Sequence, residues 1–238
     1  MRSLVLSLVL CFSVALQAQT AYWISFSYEV TNPIEALESA NAFFETDFAK
    51  EINAMVQLRD VVFVSSEDHS THEMLWVTSD PLVYDGLYEK LMGNADFQKF
   101  MMSWNKVAIR TSSRMGKSLL MSTANDTNTF TMVYGMRVDN PVLFATEFAA
   151  MTEFVTQRHK DIEMGLHMAM AGGDRGVTHY ATISAPSLGK AFKVSDAIFA
   201  SDAFMKYSKA VAPVREIVQS VAFKTIAVYN MPQAVVNK

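Results

Sequence analysis

The stretch YWISFSYEVTNP at Tyr22–Pro33 decides the fold, because it recurs as FTMVYGMRVDNP at Phe130–Pro141. Both stretches place large apolar residues at alternate positions, which is the period of a β-strand. Both end in Asn-Pro, where the asparagine can cap a helix and the proline can take the first helical position. Two further matches lie at almost the same spacing, Phe97–Phe100 with Phe204–Tyr207 and Lys117–Leu119 with Lys224–Ile226. The chain is therefore an internal duplication.

Each copy has the hydrophobic pattern of a β-α-β-β-α-β unit. The pattern predicts helices at 33–52 and 81–110 in the first copy and at 141–160 and 187–220 in the second. The last strands are expected at 115–122 and 222–229. The predicted organisation is a segment 1–18, a first repeat 19–122, a linker 123–129, a second repeat 130–230 and a tail 231–238.

The composition limits the classes of function. The chain has 238 residues, of which 50% are hydrophobic, so it can bury a large core and is not a disordered chain. Its net charge of −4 and its pI near 5.7 argue against the basic surface that nucleic-acid binding requires. We therefore expect no nucleic-acid partner.

Residues 1–18 have the three parts of a secretory signal: a basic residue at Arg2, a short apolar run from Leu4, and a small residue at Ala18. The run is short for a bilayer span, and an uncleaved N-terminal anchor is the alternative. We expect a secreted or periplasmic protein with no membrane span once the signal is removed. Cys11, the single cysteine, lies in this segment, so the mature chain has no disulfide, thiol nucleophile or thiolate metal site.

Two ferredoxin-like β-α-β-β-α-β copies resemble the dimeric α/β-barrel superfamily, in which two antiparallel sheets face each other around a barrel. Trp76–Pro81 and Asn94–Phe100 look like the strand-to-helix region of its antibiotic-biosynthesis-type monooxygenases. The resemblance implies an α+β fold whose two sheets pair within one chain, as a monomer or as a homodimer of such chains. Asp96 and Ala203 stand where that family carries a histidine, so its proton-handling residue is not carried over.

His167 and His179 form one candidate site. A hairpin turn centred on Gly173 would pair them directly across two strands, with their Cβ atoms about 5 Å apart on one face. At that distance they could share a metal, a haem or a proton, or each could be satisfied by backbone or water in a polar barrel lining. His69 and His72 lie on a polar hairpin tip, where a solvated turn is favoured and no metal site is expected.

Trp23 and Trp76 fall on strands that neighbour each other in a ferredoxin-like sheet. They are candidates to line a cavity for an apolar or aromatic ligand, with ordinary core packing as the alternative. Arg137 and Glu29 occupy equivalent places in the two repeats and are candidates to meet at the seam between them, with solvated strand ends as the alternative.

Three functional hypotheses follow. The leading one is an extracytoplasmic barrel protein that binds a small apolar or aromatic ligand, without a cofactor and without clear catalytic residues. The second is a cofactor-independent or haem-dependent oxidoreductase with His167, His179 and Arg137 around its centre. The third is a structural interaction domain, and the fold alone does not choose among them.

Overall fold

A computed structural model of the protein describes residues 20–64, 68–122, 127–173 and 176–231. The first repeat consists of β1 Tyr22–Val30, α1 Pro33–Phe44, α2 Asp47–Lys50, β2 Met55–Phe63, β3 His72–Thr78, α3 Leu87–Gly93, α4 Ala95–Val107 and β4 Ala108–Met121. The second consists of β5 Phe130–Val138, α5 Pro141–Arg158, β6 Glu163–Gly172, β7 His179–Ala185, α6 Leu188–Phe199, α7 Asp202–Val211 and β8 Arg215–Tyr229. Within these ranges, no helix is long and apolar enough to cross a membrane.

The eight strands form one closed barrel in the order β1-β3-β2-β8-β5-β7-β6-β4, and every neighbouring pair is antiparallel. Each repeat contributes four adjacent strands, and the two sheets join where β2 pairs with β8 and where β4 pairs with β6. These two joints are equivalent in the two repeats. The predicted α+β fold, with two tandem ferredoxin-like repeats paired into an intramolecular α/β barrel, is confirmed.

The Asn-Pro pairs start helices as the sequence predicts. The Asn32 side chain accepts a hydrogen bond from the backbone N–H of Glu35, and Asn140 does the same for Leu143. The first helix is shorter than the predicted 33–52, because Thr46 caps a separate helix, α2. The described segments bear out the duplicated pattern in both repeats.

The last strand of each repeat is longer than predicted. β4 begins at Ala108 rather than 115, and β8 begins at Arg215 rather than 222. Residues 108–113 pair only with β1, and residues 215–221 pair only with β5, so one edge of each stretch lacks a strand neighbour. Most of these residues are exposed and lack the buried alternation by which a strand is recognised.

The helices cover the outside of the barrel in two hydrophobic clusters, one for each repeat. Because side chains alternate along a strand, the residues between those in contact with helices point into the barrel. A third, smaller cluster lies inside it and consists of the buried residues Trp23, Val133, Tyr180 and Phe223. The barrel interior, which we call the lumen, is therefore only partly filled by apolar side chains.

Candidate functional site

The lumen contains a cavity of about 310 Å³, within the range of about 300 to 1,000 Å³ typical of small-molecule sites. It reaches the end of the barrel at which Met55 begins β2 and Glu163 begins β6. Its apolar lining includes Leu75, Val77, Val133, Val228 and Met231, and its polar lining includes Arg59, Glu73, Arg114, Ser118, His167 and Thr182.

A buried charge cluster lies on the lumen wall. Glu73 on β3 is fully buried and contacts two guanidinium groups, those of Arg59 on β2 and Arg114 on β4. Arg114 Nη2 lies 2.6 Å from Glu73 Oε2. Burial raises the pKa of Glu73, but the two guanidinium charges outweigh it and hold that pKa below its usual value. Glu73 is therefore ionised and joins the two guanidinium groups.

Each of the two guanidinium groups lies over an aromatic ring. The Arg59 guanidinium lies 4.3 Å from the centre of the Phe223 ring, and that of Arg114 lies 5.3 Å from the centre of the Tyr180 ring. Arg59 Nε is nevertheless buried without a hydrogen-bond partner among the described residues, and so is Nε1 of Trp23. Both side chains line the cavity.

His167 also lines the lumen, on β6, which pairs with the strand of Arg114. Its Nδ1 is 3.0 Å from the Ser118 hydroxyl and its Nε2 is 3.2 Å from the Thr182 hydroxyl. Removal from water lowers the pKa of His167 to about 4, and the positive charge of Arg59 adds to this effect. The imidazole is therefore neutral at physiological pH.

The Arg59–Glu73 pair and the His167–Tyr180 pair occupy equivalent positions in the two repeats. Arg59 pairs with Glu73 across β2 and β3, and His167 pairs with Tyr180 across β6 and β7. The two repeats have thus diverged at one site. The first repeat supplies an ion pair, and the second supplies an imidazole and a phenol.

The predicted pair of His167 and His179 is wrong. His167 pairs with Tyr180, whereas His179 pairs with Met168, so the two histidines point to opposite faces of the sheet. His179 lies under the helices, with its ring centre 6.4 Å from that of Phe144 and its Nδ1 2.9 Å from the Thr178 hydroxyl. The physical reason is the hairpin register, since a shift of one residue exchanges the two faces of a strand.

The Thr178–His179 contact has a counterpart in the first repeat. His72 Nδ1 lies 2.9 Å from the Thr71 hydroxyl, the same arrangement one repeat earlier. The Thr-His dipeptides are visible in the sequence at the duplication spacing. This match favours a structural role for His179 at the start of β7.

The two candidate tryptophans, Trp23 and Trp76, lie on opposite faces of the sheet. Trp23 pairs with Val77 and lies in the lumen, as predicted for a residue that lines a cavity. Trp76 pairs with Ile24 and packs on the helix side, with its ring centre 5.9 Å from that of Phe44. The prediction for Trp76 is therefore wrong, for the same reason of strand parity.

Arg137 does not belong to the lumen. It lies at the end of β5, its side chain is half exposed, and it forms an ion pair with Glu216 on β8. Glu29 lies on β1, which neighbours β3 and β4 and not β5, so the predicted meeting of Arg137 with Glu29 is wrong. Two solvated partners at a strand end account for Arg137.

Comparison with known proteins identifies the architecture. No protein-family model and no curated protein matches the sequence. A proposed monooxygenase from Lactobacillus acidophilus has a similar structure, with a TM-score of 0.59 and 9% identity over 88% of this chain and 95% of that chain. An anthrone oxidase-like protein has a TM-score of 0.56 and 8% identity over 92% of this chain and 98% of that chain. The chain has the dimeric α/β-barrel fold.

A haem-binding protein from Thermus thermophilus shares this dimeric α/β-barrel fold, with a TM-score of 0.52 and 12% identity over 87% of this chain and 93% of that chain. Sequence identities this low show a shared fold and nothing about function. Whether the lumen of this chain could hold a haem therefore depends on the residues that line it. In the described part of the lumen wall, His167 is the one histidine.

The lumen of this chain does not fit a haem ligated by His167. Both ring nitrogens face hydroxyl groups of the wall, and coordination would have to replace one of these hydrogen bonds. A Cβ added at Gly165 would lie 2.7 Å from His167 Nε2, so the β6 backbone closes directly over that nitrogen. The described residues also contain no group of three or more His, Cys, Asp or Glu side chains that could hold a metal ion.

Proposed function

We propose that the barrel lumen binds a small apolar or aromatic molecule. The observation that carries this proposal is the cavity of about 310 Å³ inside a closed barrel, with an apolar lining and a few convergent polar groups. Trp23 offers the ligand an aromatic ring on the cavity wall.

Binding without catalysis is the better-supported form of this proposal. His167 is the side chain on the described lumen wall whose ordinary pKa suits it best to act as a base. Its pKa of about 4 makes it a weak base at physiological pH. The carboxylate of Glu73 is held by two arginines and is therefore not available to remove a proton.

The experiment is a thermal-shift and calorimetry screen with small aromatic and aliphatic compounds, carried out on two matched variants. Val133→Phe places a larger side chain in the lumen, and Val142→Phe makes the same change on the exposed surface of α5. We expect ligands to bind the wild-type protein and the Val142→Phe variant, and to bind Val133→Phe at least about tenfold more weakly. Equal binding by both variants, or no binding by any compound, would overturn the proposal.

The second candidate function is cofactor-independent oxidation of an aromatic substrate. The similarity to a proposed monooxygenase and to an anthrone oxidase-like protein favours it at the level of the fold. Oxygen uptake with anthrone as the probe tests it, and a rate that falls in His167→Ala would support oxidation over simple binding. Absence of a Soret band after incubation with haem would separately exclude the haem-dependent form.

We also propose that the protein is exported, with residues 1–18 removed as a signal. These residues lie outside those that the structure describes. The support is the basic, apolar and small-residue pattern of the segment. The mass of the protein recovered from the periplasm or medium tests it, and an intact N-terminus on a cell-retained protein would contradict it.

A further inference from the structure

We infer that the lumen ligand carries a hydrogen-bond acceptor oxygen on its apolar body, and that the indole N–H of Trp23 donates to that oxygen. This inference rests on the proposed function and adds the polar chemistry that the ligand must have. It is drawn from two buried donors on the cavity wall, from the packing that fixes the Trp23 ring and from the apolar side chains beside it.

The first donor is the indole of Trp23, which lines the cavity and is only 8% exposed. A tryptophan side chain has one N–H to donate and no acceptor atom. Its Nε1 is buried and has no hydrogen-bond partner among the described residues. Because buried donors in proteins are almost always paired, we expect the partner to be an acceptor on a molecule bound in the lumen.

The packing of the Trp23 ring holds this N–H in one direction. A Cβ added at Gly116 would lie 2.4 Å from Cζ2 and 2.9 Å from Cε2 of Trp23, so the indole lies directly against the β4 backbone. The ring also makes edge-to-face contacts with Tyr180 and His167, at centroid distances of 5.7 and 6.4 Å. A donor that is already fixed loses little conformational entropy when a ligand engages it, which favours its use in binding.

A second donor lies in the same part of the lumen. The Arg59 guanidinium lies 4.3 Å from the centre of the Phe223 ring, and Phe223 belongs to the same buried cluster as Trp23. Arg59 Nε is buried without a partner in the described part of the chain, and an arginine side chain, like that of tryptophan, has no acceptor atom. The carboxylate of Glu73, the nearby acceptor, is engaged in its ion pairs with Arg59 and Arg114. An acceptor oxygen on the ligand therefore matches this region of the wall.

Apolar side chains adjoin the Trp23 donor. Val77 is the strand partner of Trp23 across β1 and β3, and Leu75 is the partner of Ser25, two residues further along β1. Both apolar side chains line the cavity, together with Val133. An apolar compound with one carbonyl oxygen would therefore pair with the donor and cover the wall beside it.

The experiment compares ketones with hydrocarbons of the same skeleton by titration calorimetry at pH 7. The probe pairs are 1-indanone with indane and 1-tetralone with tetralin. The measured quantity is the ketone-to-hydrocarbon affinity ratio, in the wild type and in Trp23→Phe, which keeps an aromatic ring and removes the N–H. A ketone loses more hydration than its hydrocarbon, but this cost is the same in both proteins and cancels from the comparison. We expect the ratio to fall about tenfold in Trp23→Phe.

Trp76→Phe is the matched control, because it makes the same chemical change on the helix side of the sheet. Its affinity ratio should equal that of the wild type. A second measurement needs no variant and decides the question if Trp23→Phe does not fold. In ¹⁵N-labelled wild-type protein, 1-indanone should move the indole proton signal of Trp23 downfield, as a new hydrogen bond does, and indane should move it less.

Each result bears on one of the two proposals. If the affinity ratio is the same in Trp23→Phe as in the wild type, if indane moves the Trp23 signal as far as 1-indanone does, or if the hydrocarbons alone bind, the acceptor inference is wrong. Loss of affinity for the same compounds in Val133→Phe would then still support binding in the lumen. If no probe binds at all, the proposed function itself fails and this inference fails with it.

Discussion

Replacing Glu73 by alanine removes the carboxylate that joins Arg59 and Arg114 inside the barrel. The carboxylate is fully buried and both guanidinium groups are nearly so, and the variant loses the ion pair of each arginine with Glu73. Breaking a buried ion pair by removal of one partner costs about 3 to 5 kcal/mol, and we expect a loss of this size in the free energy of unfolding. Ligand-free protein is required, since a ligand bound in the lumen would itself stabilise the fold.

Urea unfolding followed by far-ultraviolet circular dichroism measures this effect at pH 7. Glu216→Ala is the matched control, because it breaks the exposed ion pair with Arg137 and should cost less than about 1 kcal/mol. The lowered pKa of Glu73 adds a pH dependence: its ion-pair contribution is present above the pKa of an unfolded glutamate and is lost as pH falls through the lowered folded-state value. A loss in Glu73→Ala no greater than in Glu216→Ala would show that the buried cluster does not stabilise the fold.

Three further predictions concern other parts of the barrel. The pKa of His167 is near 6.5 in the unfolded chain and about 4 in the folded protein, so the unfolded chain binds more protons between these values. Wild-type stability should therefore fall by about 3 kcal/mol on acidification through this window, and urea unfolding of His167→Gln should lack that component. Trp76→Ala should lower the free energy of unfolding by about 3 to 5 kcal/mol because its ring packs under the helices, while calorimetry should find an unchanged affinity for a lumen ligand. Gly116→Ala would place a Cβ 2.4 Å from the Trp23 ring and should cost about 1 to 3 kcal/mol in thermal unfolding, whereas Gly93→Ala meets nothing within 4 Å and should be neutral.

The fold was predictable because the same pattern of strand and helix signals occurs twice in the chain. Asn32 and Asn140 cap their helices in the same way, and the strands before them form equivalent parts of the barrel. A chance alternation in one segment is a weak signal, but the same alternation followed by the same cap in both repeats is a strong one.

The faces of individual strands were harder to predict, because they depend on the residue count of each turn. A turn centred on Gly173 places His179 on the face of His167, whereas the observed partner of His167 is Tyr180, one residue further along the chain. Trp76 failed in the same way, since Val77 and not Trp76 lies opposite Trp23. Hydrophobic patterns give a strand its period and leave the register to tertiary contacts.

The charge cluster was missed because a charged residue in a strand is ordinarily expected to face water. Glu73 and Arg59 are enclosed only because the sheets of the two repeats close around them, which no local pattern reveals. Arg114 lies one residue before the predicted start of its strand at 115. A charged residue at an inward position on each of two paired strands is the signal that would have found Arg59 and Glu73.

We expect the ligand to lie in the lumen and not between the sheet and the helices. The three tryptophans separate these places, because Trp23 lines the lumen while Trp76 and Trp104 are buried under the helices of the first repeat. This is measured by titrating ¹⁵N-labelled protein with an aromatic compound that binds in the thermal-shift screen and following the tryptophan indole N–H signals. We predict that the Trp23 signal shifts while the other two stay in place, whereas a shift of Trp76 or Trp104 with an unmoved Trp23 would mean that the ligand binds under the helices and not in the lumen.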